Sequence, residues 1–323
     1  LVGVTVGFLG GHGQVAGEEE GEEGHHRYLS AVRGRAGTRP PHGLAGAMSS
    51  PREYVLGTHQ AELDRLGFQH RLWSDAAHSS WKRAGVQPGH RVLDVGCGPG
   101  FASFDLGQLV GREGAVIGID ESPGFVQAVQ TGAAARHLPQ CEGRVADVQA
   151  LEPVLAGEAP FHLAFARWVL CFVADPEAVV RGVAAALRPG GAWVIHDYFN
   201  YTTMTLAPRR PWFTRVVELT AASWRERGGD PDVMGRVPAM LERAGMHVEH
   251  RELHARHAAP SETMWQWGAT WWRNYVPRLV EMGALSPGEA EAFFAEFREA
   301  ERSTTSFMVM PPVWSFVARK GAR

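Results

Sequence analysis

Long hydrophobic runs are missing from this chain. No apolar stretch approaches the roughly 18–20 residues that a membrane-crossing helix needs. Excess charge of one sign is missing too. The chain has 32 Lys and Arg against 35 Asp and Glu, a net charge of −3. That balance favours neither nucleic acid nor an acidic membrane as partner. Cysteine is scarce. Cys97, Cys141 and Cys171 are too few and too scattered for a disulfide framework or a zinc site. They read as small core residues, and the expected compartment is a reducing cytoplasm. Internal repeats are absent. What remains is an ordinary globular composition of 45% hydrophobic and 21% charged residues, over 323 positions. Such a length accommodates one large or two average domains.

The first 47 residues differ from the rest. They contain 12 glycines, the acidic run Glu18–Glu23 and "RPPHG", with little periodicity. Such a composition buries too little surface to offset chain entropy, so residues 1–47 are expected to be a disordered or non-native tail. The apolar start lacks the basic leader of a secretory signal. Met48 is the first methionine, and organised sequence begins just after it. Residues 48–323 read as one domain.

From Tyr54 to Arg83 the pattern is helical. Then "RVLDV" forms a short apolar strand of the kind buried in a parallel sheet. Strand and helix patterns alternate from there. Further strands are expected at "GAVIGID", "EGRVADV", "FHLAFARWV" and "AWVIHDY". The helices between them open on Ser122-Pro123 and on Asp175-Pro176, side-chain cap followed by proline in the first turn. This alternation predicts a Rossmann-like, doubly wound, mostly parallel sheet. After Tyr198 the rhythm breaks into helical insertions at 199–245 and 260–304. Within the first, one helix is expected from a cap at Asp230 to Gly245, and the second of two helices in the last insertion opens on a Ser286…Glu289 capping box. "MHVEHREL" and "VWSFVARK" complete seven strands. The organisation is a helical lid (48–85), a cofactor-binding half (86–198) and two helical caps over a substrate.

In an open parallel sheet, ligands bind beyond the carboxyl ends of the strands. The first of these ends is the loop "GCGPG", with Gly96, Gly98 and Gly100. A dinucleotide fingerprint, G-x-G-x-x-G, wants glycine at the sixth position, where this chain has Phe101. The second strand ends in Asp120, placed to accept both hydroxyls of a ribose. The third ends in "ADV", which places Asp147 to accept from an adenine amino group. Any one such acid is as readily a helix cap. A glycine loop and two acids at three successive strand ends make that alternative much weaker.

The segments "VLDVGCGPG", "GIDES", "ADV", "FARWVL" and "LRPGGAWVIHDY" resemble the successive motifs of class I S-adenosylmethionine-dependent methyltransferases, in the small-molecule branch of ubiquinone/menaquinone-biosynthesis type. The resemblance spans about Tyr54 to Lys320. It implies S-adenosylmethionine as cofactor and a small-molecule acceptor. Asp94, Gly96, Cys97, Gly98, Gly100 and Phe101 would then frame the methionine part and the ribose. Asp120 would take the ribose hydroxyls, with Glu121 and Ser122 beside the adenosine. Ala146, Asp147 and Val148 would hold the adenine. Arg167 and Trp168 would sit near the methionine tail and the sulfonium. From the lid, Tyr54, Gln69 and Trp73 carry suitable side chains.

Methyl transfer from a sulfonium is an in-line displacement in which the protein mainly positions and desolvates. An acceptor that must lose a proton calls for a base. The candidates at the right strand end are His196, Asp197, Tyr198 and Tyr201. The aromatics of the two insertions (Trp212, Phe213, Trp224, Trp265, Trp267, Trp271, Trp272 and Tyr275) supply either pocket walls or a helix–helix core. His247, His250, His254 and His257 lack the Cys or acidic company of a metal site, and strand alternation splits His247 from His250. No metal is expected. A nucleic-acid amino-methyltransferase would carry an "NPPY"-like stretch where this chain has "ARWVL", and Cys171 follows Leu170 rather than proline. The competing readings are an NAD-dependent oxidoreductase and a non-catalytic protein that binds S-adenosylmethionine.

Overall fold

A computed structural model of the protein describes residues 60–322. The tail expected at 1–47 and Tyr54 lie outside the described residues. Helix α1 (Gln60–Ala84) leads into strand β1 (Arg91–Val95). Then follow α2 (Phe101–Val110), β2 (Ala115–Asp120), α3 (Pro123–Ala135), β3 (Cys141–Val145), α4 (Leu151–Val154), β4 (Phe161–Arg167), α5 (Pro176–Ala186) and β5 (Leu187–Tyr198). Beyond Tyr198 come β6 (Thr205–Ala207), α6 (Pro211–Glu226), α7 (Val237–Arg243), β7 (Met246–His254) and β8 (His257–Ala258). The chain closes with α8 (Thr263–Glu281), α9 (Pro287–Arg302), β9 (Phe307–Val309) and β10 (Val313–Lys320).

Seven strands form one sheet in the order β3-β2-β1-β4-β5-β10-β7. The pairs among β1 to β5 are parallel, and β10 runs antiparallel to both its neighbours. The order reverses direction between β1 and β4, which opens a crevice at their carboxyl ends. Register decides what meets there. Val95 pairs with Ile119 on one side and with Ala166 on the other. The next residue of each strand, Gly96, Asp120 and Arg167, therefore comes side by side at the sheet edge.

Side chains alternate across the sheet. Leu93, Val95, Ile117, Ile119, Ala164, Trp193 and Ile195 join one apolar cluster. Val92, Val116, Leu163, Phe165, Ala192 and Val194 join another. These runs read as near-continuous hydrophobics because both faces of the sheet are covered. The first cluster extends into the cap helices. There Phe213 of α6 stacks on Phe293 and Phe297 of α9 at 6.0 and 6.3 Å, and Trp265 of α8 stacks on Phe297 at 5.5 Å.

Three local expectations change. Strand β5 begins at Leu187 rather than Ala192. Its register against β4 breaks between Phe161 and Leu163, and Gly190 (φ 72°) absorbs the extra residues in a bulge. The helix expected from Asp230 to Gly245 shrinks to α7. Pro238 lies in its first turn, and a proline ring blocks helix continuing from the turn before it. A small antiparallel sheet, β6-β9-β8, had no signal. Strands of two or three residues are too short for periodicity to show.

Candidate active site

The loop after β1 turns by left-handed backbone at Gly96 (φ 65°), Gly98 (φ 54°) and Gly100 (φ 85°), which side chains rarely tolerate. Two of the glycines also pack tightly. A Cβ on Gly96 would lie 2.4 Å from Val169, and one on Gly100 would lie 2.9 Å from Val129. A Cβ on Gly98 meets nothing within 4 Å. The space beside it belongs to a cavity of about 900 Å³ at the sheet switch point.

Asp120 ties this loop to the next. Its Oδ2 accepts the Gly98 N–H at 2.8 Å and its Oδ1 accepts the Ser122 N–H at 2.9 Å. Burial pushes its pKa up against those bonds. Each oxygen keeps a lone pair, and Asp120 lines the cavity. Asp94, buried beneath, accepts the Ser103 hydroxyl at 2.5 Å. Burial raises its pKa to about 7, so its charge is held at a cost. Cys97 is a spacer: its Sγ fills the room beside Gly118, where a Cβ would come within 2.8 Å. Burial raises its thiol pKa well above the usual value, so it is not a nucleophile.

Arg167 ends β4 in the cavity wall. Its Nη2 donates to His70 Nδ1 at 3.0 Å, while its Nη1 is buried without a hydrogen-bond partner. Burial lowers its pKa to about 10, so it stays charged at neutral pH. Trp168 follows with φ 55°, a strained conformation for a bulky residue. Its ring is held between Tyr198 (6.1 Å) and Trp267 (5.8 Å), and Trp73 presses edge-on at 5.5 Å.

The far wall is aromatic. Phe172, Tyr198, Tyr201, Trp224, Trp267, Trp271 and Tyr275 line the same cavity. Tyr198 meets Tyr201 at 5.2 Å, Tyr201 meets Trp224 at 4.7 Å, and Trp271 stacks on Tyr275 at 4.6 Å. The Tyr275 hydroxyl bonds Ser223 Oγ at 2.9 Å. Gln69 closes the side, where its Oε1 accepts from Trp267 Nε1 at 2.9 Å and from Arg65 at 3.1 Å.

Of the residues singled out in the sequence, Gln69, Asp94, Gly96, Cys97, Gly98, Phe101, Asp120, Glu121, Asp147, Val148, Arg167, Trp168 and Tyr201 lie in the cavity lining. Gly100, Ser122 and Ala146 do not. Ser122 caps α3 through the Phe125 N–H at 3.3 Å, and the Ala146 N–H bonds the Asp120 carbonyl. Asp147 also caps, taking the Gln149 N–H at 2.8 Å. His196 and Asp197 are corrected as base candidates. Strand alternation aims His196 at α1, where its Nε2 meets Ser80 Oγ at 3.0 Å, and the residue is fully buried. Asp197 points the other way and accepts the Cys171 and Tyr198 N–H groups. Burial raises Asp197 to about 6, and neither residue lines the cavity. Trp73, Trp212, Phe213, Trp265 and Trp272 lie outside the lining, whereas Trp224, Trp267, Trp271 and Tyr275 form the wall. His254 bonds Ser315 at 2.6 Å, and no cluster of three metal-ligating side chains occurs among the described residues.

Sequence reasoning missed His70, Arg65, Phe172 and Met204. These come from helix and loop positions without a motif, and only the fold brings them to the crevice.

This sheet order, with an antiparallel β10 between β5 and β7 and a ligand-sized cavity at the switch point, is a Rossmann-like methyltransferase fold. Residues 87–226 match the family model described as "Methyltransferase domain". The chain is similar to the ubiquinone biosynthesis O-methyltransferase of Xanthomonas axonopodis pv. citri, with 32% identity over 146 residues, 41% of this chain and 59% of that protein. It is also similar to the 2-phytyl-1,4-naphtoquinone methyltransferase of Synechococcus elongatus, with 36% identity over 138 residues, 42% of this chain and 56% of that protein. The chain thus spans less than two thirds of the length of these curated relatives. Among solved structures, a Bacillus halodurans protein assigned as a methyltransferase superposes with a TM-score of 0.51. Its identity is 15%, over 76% of this chain and 98% of that one, a likeness of fold.

Proposed function

We propose that the protein transfers the methyl group of S-adenosylmethionine to a small aromatic or apolar acceptor. The observation that carries this reading is a single cavity with two chemistries. One end has the glycine loop, Asp94 and Asp120, and the other has the ring wall of Tyr198, Tyr201, Trp224, Trp271 and Tyr275. The residues fit the cofactor. Asp120 offers acceptors to two ribose hydroxyls, and the open space beside Gly98 lets a ligand approach the backbone. The unpartnered Nη1 of Arg167 suits a carboxylate. The rings of Trp168, Tyr198 and Trp267 suit a cationic sulfonium. When bound, the cofactor supplies an activated methyl group.

The chain's own contribution is placement and dryness. Alignment of nucleophile, methyl and sulfur contributes on the order of 7–11 kcal/mol. Burial pushes the Tyr198 and Tyr201 hydroxyls well above their usual pKa, so both are neutral hydrogen-bond donors at neutral pH and not bases. His70 has both ring nitrogens engaged. Tyr201 is therefore an orienting group, and the acceptor presents a nucleophile that needs no strong base. The naphthoquinone in the Synechococcus elongatus relative's name is a flat ring of the kind such walls fit.

The test incubates the protein with S-adenosylmethionine and metabolite fractions, and mass spectrometry follows a gain of one methyl group. Calorimetry with S-adenosylhomocysteine and NAD accompanies it. Binding of NAD but not S-adenosylhomocysteine overturns the reading. Cofactor binding with no methylated product from any fraction favours a non-catalytic protein.

A further inference from the structure

Four side chains form a chain of hydrogen bonds from the cavity to the surface. Arg167 Nη2 meets His70 Nδ1 at 3.0 Å, His70 Nε2 meets Asp105 Oδ2 at 3.0 Å, and His78 Nε2 meets the same oxygen at 3.0 Å. A guanidinium can only donate and a carboxylate only accept. His70 satisfies both neighbours in one state, the neutral Nε2–H tautomer. That state fixes the guanidinium in its plane and leaves Nη1 buried and unpaired in the cavity wall. The His70 ring is itself held, stacked on Phe101 at 5.9 Å. Phe101 in turn sits over Gly67, where a Cβ would come within 2.9 Å of the ring. The residue that replaces the sixth glycine of a dinucleotide loop thus docks α1 against the loop.

We infer that His70 and Asp105 are positioning residues that aim Arg167 at the carboxylate of the bound cofactor, and that protonation of His70 releases that aim. This inference rests on the function proposed above. A proton on Nδ1 removes the acceptor for Arg167 and places a second cation against it. The charged and titratable groups facing His70 are Arg167 from β4, Asp105 from α2 and His78 from α1, with Asp94 beside Arg167. Burial and Arg167 lower the His70 pKa, whereas Asp105 raises it. Neutral His70 is therefore the state at pH 7.5, and acid breaks the arrangement.

The experiment measures affinity by calorimetry from pH 5 to 8.5 for two ligands, S-adenosylhomocysteine and 5′-methylthioadenosine. The second keeps the adenosine and lacks the carboxylate. His70→Phe keeps the ring against Phe101, and loss of one charge-directed contact weakens S-adenosylhomocysteine binding by about tenfold at pH 7.5. Binding of 5′-methylthioadenosine stays within twofold. Asp105→Asn keeps an acceptor for His70 but removes the charge that favours protonation. The acid loss of S-adenosylhomocysteine affinity therefore moves to lower pH, a shift that a purely structural role would not produce. An equal effect of His70→Phe on both ligands overturns the inference, as does an unmoved pH profile in Asp105→Asn. Failure of the wild type to bind either ligand defeats the proposed function itself.

Discussion

Removing the Asp120 carboxylate separates the loop's structural and ligand roles. In Asp120→Ala, the Gly98 and Ser122 N–H groups lose their acceptor at 2.8 and 2.9 Å. A hydrogen bond to a charged group contributes about 1.5–3 kcal/mol. The raised pKa shows that burial of the charge offsets part of this in the free protein. We expect a folding loss of about 1–3 kcal/mol, read as a lower melting temperature. On the ribose placement proposed above, the cofactor loses two further charge-assisted bonds. About 3 kcal/mol of lost binding weakens S-adenosylhomocysteine by roughly 10²-fold in calorimetry. Asp120→Asn keeps one acceptor oxygen and should fall between the two, near tenfold. A dissociation constant for Asp120→Ala within threefold of the wild type, in protein that still melts cooperatively, would refute the assignment of β2's end to the ribose.

Other outcomes follow from burial. Asp94 is held near 7 in the folded chain against an ordinary 3.8. The folded state then binds more protons than the unfolded state between about pH 4 and 7, so stability without cofactor falls as pH rises through that window. The slope is about 1.4 kcal/mol per pH unit. Asp94→Asn should flatten this dependence in denaturant titrations, and an unchanged slope would contradict it. Phe293→Ala, in the ring stack between α6, α8 and α9, should cost about 3–5 kcal/mol of stability. Its product-forming rate per folded molecule should hold. Trp271→Ala, on the cavity wall, should lower turnover at limiting acceptor and leave S-adenosylhomocysteine affinity within twofold.

Much of the fold was legible because its signals are local. Caps at Ser122, Asp175 and Ser286, the glycine turn after "RVLDV" and the apolar runs of β1, β2, β4 and β5 each carry their own chemistry over a few residues. The meeting of Gly98 and Asp120 at the cavity was legible for the same reason. In an open parallel sheet, the carboxyl ends of successive strands meet at one edge, so Gly98 and Asp120 lie together whatever the loops do. The base candidates failed because alternation states only that His196 and Asp197 face opposite ways, not which groups await them. The miss on β6, β8 and β9 has a related cause, since their pairing is wholly non-local.

The sequence by itself determined a doubly wound sheet, the glycine turn after its first strand and the residues at its first two strand ends, because each follows from local backbone preference and strand order. Tertiary structure alone decided which aromatics form a wall and which a core. Trp265 and Trp272 differ from Trp267 and Trp271 only in the side of α8 they occupy and what packs there. It alone also brought His70, Asp105 and Arg167 into one line, from α1, α2 and β4. Side chains so far apart in the chain meet only when the sheet register and the docking of α1 have both been set, and neither is written in any short stretch of residues.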